Sequence, residues 1–320
     1  MPQASLGWED RVGRRLKLRD LHILSTVVEW GSMAKGARYL GMSQPAVSEA
    51  IAGLEDTLRV RLLDRSPRGV EPTIYARALL KRGHVAFDEL REGIKEIEFL
   101  SDPNVGEVRI GCPESMTAGF VSAVVDQFSR RHSRVVVHVV NAQTAEREFR
   151  ELRERRVDLL VGRIHKPFSD DEVDVEVLCQ DEFFVVAGAR SRWVRREKIT
   201  FAELINEPWI LFPPNSLITA YIAEAFRAKG MQLPQETVTS FSLHLRMQLL
   251  ATGRFLTVLF GSVMRHNAKR WSLKQLPVDI GIPPVPIGIF TLKNRTLSPV
   301  VRLFVEQARV TASQFVKNAP

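Results

Sequence analysis

Between Gly31 and Leu58 the chain carries helix starts and stops at fixed offsets, and this punctuation constrains the fold more than any other feature. Ser32 can cap a helix in which Met33, Ala34, Ala37 and Leu40 face inward, and Gly41 stands where a left-handed residue would end it. The turn Gly41-Met42 leads to a second cap, Ser43, with Pro45 in the first turn, where a missing N–H leaves no bond unmade. A further helix is therefore expected from about Gln44 to Leu58. Ahead of this pair Leu18, Leu21, Leu24 and Val28 repeat at helical spacing and predict a first helix ending near Trp30-Gly31. Two helices joined by a tight glycine turn, the second with a short polar face, are what the major groove of DNA admits.

In the third helix Val47, Ile51, Leu54 and Leu58 must pack inward, which turns Pro45, Ser48, Glu49 and Ala52 outward. Gln44 can pair with both edge groups of an adenine and Ser48 can bond a base edge, unless both merely serve the helix start and water. Glu49 either accepts from the amino group of cytosine or repels phosphate. Ser43, Gln44, Pro45, Ser48 and Glu49 form the expected reading face. Val60, Leu62 and Leu63 then precede Asp64-Arg65-Ser66-Pro67-Arg68-Gly69-Val70, a turn-rich segment that reads as a β-wing. Arg65 and Arg68 stand there as phosphate contacts or as ordinary exposed arginines.

From Thr73 to about Leu100 the pattern becomes one long helix without proline. Leu80, Gly83, Phe87, Leu90, Ile94 and Ile97 make an a/d seam whose simplest partner is the same helix of a second chain. Residues 101–106 break the helix and read as a hinge. Beyond it, strands are expected at 107–112, 135–141, 158–163, 183–187, 208–212, 236–241, 255–259 and 285–292. Helices are expected at about 117–131, 145–155, 217–229, 243–251 and 298–317. That alternation predicts an α/β domain with a largely parallel sheet.

A length of 320 residues suits two substantial cores. The net charge of +8 permits a polyanionic partner, but the excess is spread along the chain, so the motifs must carry the argument. Cys112 and Cys179 are too few for a disulfide framework; they are two small buried residues or a redox sensor. No apolar run is long enough for a membrane span, and the N-terminus carries charges where a secretory signal needs an apolar run, so the cytoplasm is expected. There is no HExxH, GxSxG, P-loop or GxGxxG, and the histidines, His165 among them, are scattered. No enzyme, cofactor or metal site is expected. A solute-binding protein would need a secretory signal and would lack the helix pair and wing, and an α/β transferase would have to turn over a cleft ligand.

The phrases Gly31-Ser32-Met33-Ala34-Lys35-Gly36-Ala37 and Ser43-Gln44-Pro45-Ala46-Val47-Ser48, then Leu54-Glu55 and Arg65 to Val70, resemble the LysR-type transcriptional regulators. The likeness extends to residues 107–111 and 158–162. It implies a winged helix-turn-helix over 1–72, a linker helix over 73–101 and an effector domain over 102–320. The effector domain would resemble type 2 periplasmic binding proteins, with one subdomain at about 102–182 and 286–320 and the other at about 183–285. Members form dimers or tetramers that bend promoter DNA and activate or repress according to ligand, with RNA polymerase as a candidate partner. Glu49 stands where the family is often basic, and Pro72-Thr73-Ile74-Tyr75-Ala76 replaces the usual Leu-Thr-x-Ala-Gly.

The resemblance lines the effector cleft with Asn141, Arg163, Phe212, Asn215, Thr219 and the strand around Phe255. The residues themselves add Ser115 and Thr117, at a helix start after a strand, where free N–H groups suit an anion or where ordinary capping occurs. Arg163 is the candidate carboxylate clamp, although an arginine at a strand end is as often a surface residue. The expected inducer is a small carboxylate or other anion whose binding is linked to the arrangement of the two lobes.

Overall fold

The structure is a computed structural model that describes residues 15–66, 69–142, 149–164, 168–228 and 230–317. The chain divides into two compact units, residues 1–91 and 92–320. Their boundary falls inside a helix, not at the expected hinge after Ser101.

The first unit holds α1 (Leu18–Trp30), α2 (Met33–Tyr39), α3 (Gln44–Leu58), the hairpin β1 (Leu63–Ser66) and β2 (Gly69–Pro72), and the first turns of α4 (Ile74–Ser101). Ser32 and Ser43 accept from the amides of Lys35 and Ala46, so both expected caps form. Gly41 takes φ +63°. Its N–H reaches the Arg38 carbonyl and that of Met42 reaches Ala37, a double closure that a left-handed residue permits. Leu21, Leu24, Val27, Val47, Ile51 and Leu54 fill the core. Two inward assignments are corrected: Leu18 is 47% exposed and Ala34 is exposed, while Gly36 turns inward instead because α1 and α2 approach closely at Val27. Glu55 accepts from the amides of Leu62 and Leu63 at 2.6 and 3.2 Å and so ties α3 to the start of the wing.

The predicted seam on α4 is not continuous. Leu80 is buried in the first unit's core and Phe87 packs on it, and a Cβ on Gly83 would stand 2.7 Å from Leu21. Only the later positions Leu90, Ile94 and Ile97 are open, at 50%, 58% and 65% exposure. The final turns of α4 belong to the second unit. Glu92 and Lys95 join Asp158 and Arg295 in a buried cluster, with Lys95 at 3.0 Å from Glu92 and Arg295 at 2.9 Å from Asp158. Each charge there faces an opposite one, which is what makes its burial tolerable.

The second unit contains two mixed sheets. Its strands are β3 (Val105–Cys112), β4 (Arg134–Asn141), β5 (Leu159–Arg163), β6 (Val173–Asp181), β7 (Phe183–Gly188), β8 (Trp209–Leu211), β9 (Glu236–Thr239), β10 (Leu256–Phe260), β11 (Leu273–Gln275) and β12 (Val285–Leu292). Its helices are α5 (Glu114–Met116), continued by a π-helical segment Thr117–Val121 into α6 (Ser122–Arg131), α7 (Arg150–Arg153), α8 (Phe201–Leu204), α9 (Leu217–Ala228), α10 (Leu243–Ala251), α11 (Gly261–Asn267) and α12 (Pro299–Lys317).

Lobe I has the strand order β4-β3-β5-β12-β6 and lobe II the order β11-β7-β10-β8-β9. Each sheet combines parallel pairings with antiparallel ones, so the expectation of a largely parallel sheet is corrected. The antiparallel pairings come from β6, β7, β11 and β12, which carry the chain between lobes. A single residue, Glu182, separates β6 from β7, so the chain changes sheet almost without a loop. The cores are separate. Phe120, Phe128 and Phe304 fill lobe I, and Trp209, Phe226 and Leu250 fill lobe II. No helix among the described residues is long and apolar enough to cross a membrane.

Candidate DNA-binding surface and effector cleft

Pro45 in the first turn and the Ser43 cap set where α3 begins, and its apolar stripe then fixes which residues face out. Ser43, Gln44, Pro45, Glu49 and Ala52 are exposed and Ser48 is half-buried. The expected reading face therefore exists as one surface. Arg65 is exposed on β1, paired in register with Val70, whereas Arg68 lies outside the described residues.

In the second unit, the end of β5 brings Arg163 to the seam between lobes. Its guanidinium donates from Nε to Asp181 at 3.0 Å, from Nη1 to the Ser115 hydroxyl at 2.9 Å and from Nη2 to the Ser262 hydroxyl at 3.0 Å. Asp181 also accepts the amide and hydroxyl of Ser262, each at 2.8 Å. The Arg163 guanidinium lies 3.4 Å from the centre of the Phe260 ring. Arg163 and Asp181 are both buried. Burial pushes the arginine below its ordinary value, and the Asp181 carboxylate opposes that shift. The carboxylate that Arg163 clamps is thus internal, which corrects its reading as an open effector clamp. A Cβ on Gly119 would lie 2.9 Å from the Ser262 carbonyl, so this close approach of the lobes needs glycine.

The cluster gathers several expected cleft residues. Ser115 and Arg163 bond directly, Phe260 leads on to Phe212 at 6.0 Å between ring centres, and Thr219 donates to the Phe212 and Pro213 carbonyls. Thr117 turns back to the Glu114 carbonyl at 2.6 Å. Asn141 ends β4 opposite Cys112 and is exposed, as is Asn215 in the loop before α9. Phe255 does not belong with them. It precedes β10, whose residue Leu256 pairs with Trp209 at the start of β8, so Phe255 lies at the far end of the sheet from Phe212. Phe260, at the carboxyl end of the same strand, takes the place assigned to Phe255, in keeping with ligand sites at strand carboxyl ends.

Asp181, Phe260, Ser262, Glu114 and Arg246 were not singled out from sequence. Glu114 accepts from the amides of Leu243 and His244, 3.0 and 3.3 Å away at the start of α10. Arg246 is 1% exposed and donates to the Ser240 carbonyl, the Thr257 hydroxyl and the Val258 carbonyl, with its guanidinium 3.9 Å from the Phe212 ring centre. Burial pulls it down to about 9, so it remains a cation at neutral pH. Both cysteines are buried, and burial raises the Cys112 thiol to about 12 and Cys179 to about 11. That is opposite to the accessible, low-pKa thiolate a redox sensor uses. Among the described residues no cluster of metal-ligating side chains occurs.

The profile described as LysR substrate binding domain matches residues 101–312, and that described as bacterial regulatory helix-turn-helix protein, lysR family, matches residues 18–77. The chain belongs to the LysR family of transcriptional regulators. This LysR-type chain is accordingly a DNA-binding transcription regulator with a small-molecule effector domain. It is 28% identical over 310 residues to the transcriptional regulator GbpR of Azospirillum brasilense, covering 95% of this chain and 89% of that one. It is 26% identical to the regulator TdcA of Escherichia coli over 297 residues, covering 93% and 94%. The LysR fold is also that of full-length CbnR complexed with its target DNA, at TM-score 0.65 and 19% identity, covering 92% of this chain and 100% of that one.

Proposed function

We propose that this regulator works in the cytoplasm as a homodimer, or a pair of dimers, that reads a two-fold promoter site with α3 and answers a small carboxylate or other anion held between its effector lobes. The observation that carries the DNA half is the α3 face. Its small and hydrogen-bonding groups Gln44, Ser48 and Glu49 stand outward from a core of Val47, Ile51 and Leu54, between serine-capped turns that fix the helix start. Gln44 and Ser48 then contact base edges while Arg65 contacts phosphate, with Arg68 assigned the same role from sequence.

Support for an anionic effector comes from the balance of buried charge between the lobes. Arg163 and Arg246 are both buried cations, and Asp181 is the buried carboxylate bonded to the first of them. The protein binds and transmits, with RNA polymerase as the partner that a promoter-bound regulator acts on. Selection of random duplexes on the full chain tests the reading. Enrichment of two half-sites about one helical turn apart is expected, and it should collapse in Gln44→Ala. Equal recovery of all sequences would overturn it.

A further inference from the structure

Residues 183–200 and 251–275 carry ten lysines and arginines between them and one acidic residue, Glu197, whereas the whole chain has a net charge of +8. The positive excess expected to be spread along the chain is therefore concentrated in these two segments, and the remainder is nearly balanced. The fold brings them together on lobe II, where β7 ends and its antiparallel partners β10 and β11 begin. Lys274 on β11, the outermost strand, stands opposite Ala187. Arg190 follows β7 and borders the same hollow as Arg270. A Cβ on Gly253 would lie 2.9 Å from the Arg190 carbonyl, which places Arg254 beside Arg190. A 3₁₀ turn, Arg192–Arg195, continues this surface and is anchored by the buried Trp193. Arg265 is set apart, donating to the Phe315 carbonyl at 2.7 Å.

Arg192 pairs with Glu207, and Arg196 pairs with Glu203 at 2.9 Å. Arg190, Arg195, Arg254, Lys269, Arg270 and Lys274 are exposed and form no ion pair among the described residues. Like charges gathered without anions repel one another, so the patch is a surface of strong positive potential. It holds none of the exposed large apolar side chains that anchor a protein partner. A hydrophilic polyanion fits such a surface, and the planar fork of arginine matches phosphate oxygens. We propose that this end of lobe II is a second DNA contact, which binds the phosphate backbone of the duplex flanking the site read by α3, without regard to sequence. This rests on the reading of α3 as the promoter-binding helix. Once α3 holds the promoter, the flanking duplex is part of the same complex, so the second contact is intramolecular and adds to affinity without adding base recognition.

The experiment measures operator affinity of the full chain over a range of KCl on two duplexes. One is only as long as the two half-sites, and the other is extended by about 30 base pairs, roughly 100 Å, on each side. Each neutralised phosphate steepens the fall of log K with log salt by about 0.9. On the long duplex Arg254→Gln with Lys274→Gln is expected to lower that slope by about 2, and adding Arg190→Gln and Arg270→Gln by about 4 in all. The fourfold variant should bind the long duplex roughly tenfold more weakly at about 0.1 M salt and the short one as wild type does. Arg227→Gln with Arg302→Gln removes two exposed arginines elsewhere and should leave the slope unchanged. Equal slopes for wild type and the fourfold variant on the long duplex overturn the contact, as does an equal loss on both lengths. A lower oligomer mass in sedimentation at unchanged slope assigns the patch to a second copy of the chain and overturns it as well. Sequence-selective binding of wild type to the short duplex separates the two readings: its presence with unchanged slopes rejects the patch alone, and its absence rejects the promoter-binding role of α3.

Discussion

Asp181 ends β6, the edge strand of lobe I, with its carboxylate shared between Arg163 and Ser262, so a buried ion pair and a hydroxyl from the opposite lobe close on one residue at the crossover. The pair is a joint of the effector domain. Removing one partner leaves the other buried and unmatched, which costs about 3–5 kcal/mol. Asp181→Ala is therefore expected to lose stability of that order in urea unfolding. Replacing both partners, as Arg163→Met with Asp181→Leu, should recover most of it. A stability change below about 1 kcal/mol in Asp181→Ala would show that the pair is not structural, since surface pairs contribute only that much.

The open apolar positions on α4 predict the oligomer contact. Leu90 and Ile94 are more than half-open or nearly so, whereas Leu80 is buried in the winged-helix core. Leu90→Lys with Ile94→Lys should convert dimers to folded monomers in sedimentation, with weaker binding to a two-fold site. Leu80→Lys should instead melt the winged helix. Unchanged mass in the first variant refutes the contact.

Glu49 is exposed on the reading face. If its carboxylate accepts from a cytosine amino group, Glu49→Ala relaxes preference at one position in each half-site, at a cost of about 1–3 kcal/mol for the preferred base. Base reading is the expected outcome. Binding-site selection at one fixed salt concentration checks it, because phosphate repulsion is independent of sequence and its removal would tighten all sites alike.

The thiols should be silent. With the Cys112 thiol raised to about 12 and Cys179 to about 11, the native protein should not react with a disulfide reagent at neutral to mildly alkaline pH, and both should react once it is unfolded. The sign for stability follows. An unfolded cysteine ionises near its ordinary 9.0 while the folded Cys112 stays protonated, so its contribution is full below that value and is lost as pH rises towards 12. Fast labelling of native protein would contradict this burial.

Local chemistry in the sequence determined the helix-turn-helix pair, because caps and turns act within a few residues: Ser32, Gly41 and Ser43 do in the structure what their types require. Eight strands were legible near their observed places, from Val105–Cys112 to Val285–Leu292, since apolar runs of strand length carry their own signal. Strand Val173–Asp181 was missed although Val173, Val175, Val177 and Cys179 alternate with polar residues, and Leu273–Gln275 is too short to show a period.

What only the tertiary structure decided is which part of a pattern meets which neighbour. A stripe from Leu80 to Ile97 has one period, but the chain's own winged-helix core covers its first half and leaves the second open. Phe255 and Phe260 bracket one strand, and only the pairing of β10 with β8 shows which end faces the other lobe. Arg163 reads as a clamp awaiting a carboxylate until the crossover returns Asp181 to it, and nothing in the sequence singles out Arg246, which the fold buries at 1% exposure. Periodicity and capping are short-range properties of the chain, whereas the partner of a buried charge is set by topology, and topology brings together residues far apart in sequence.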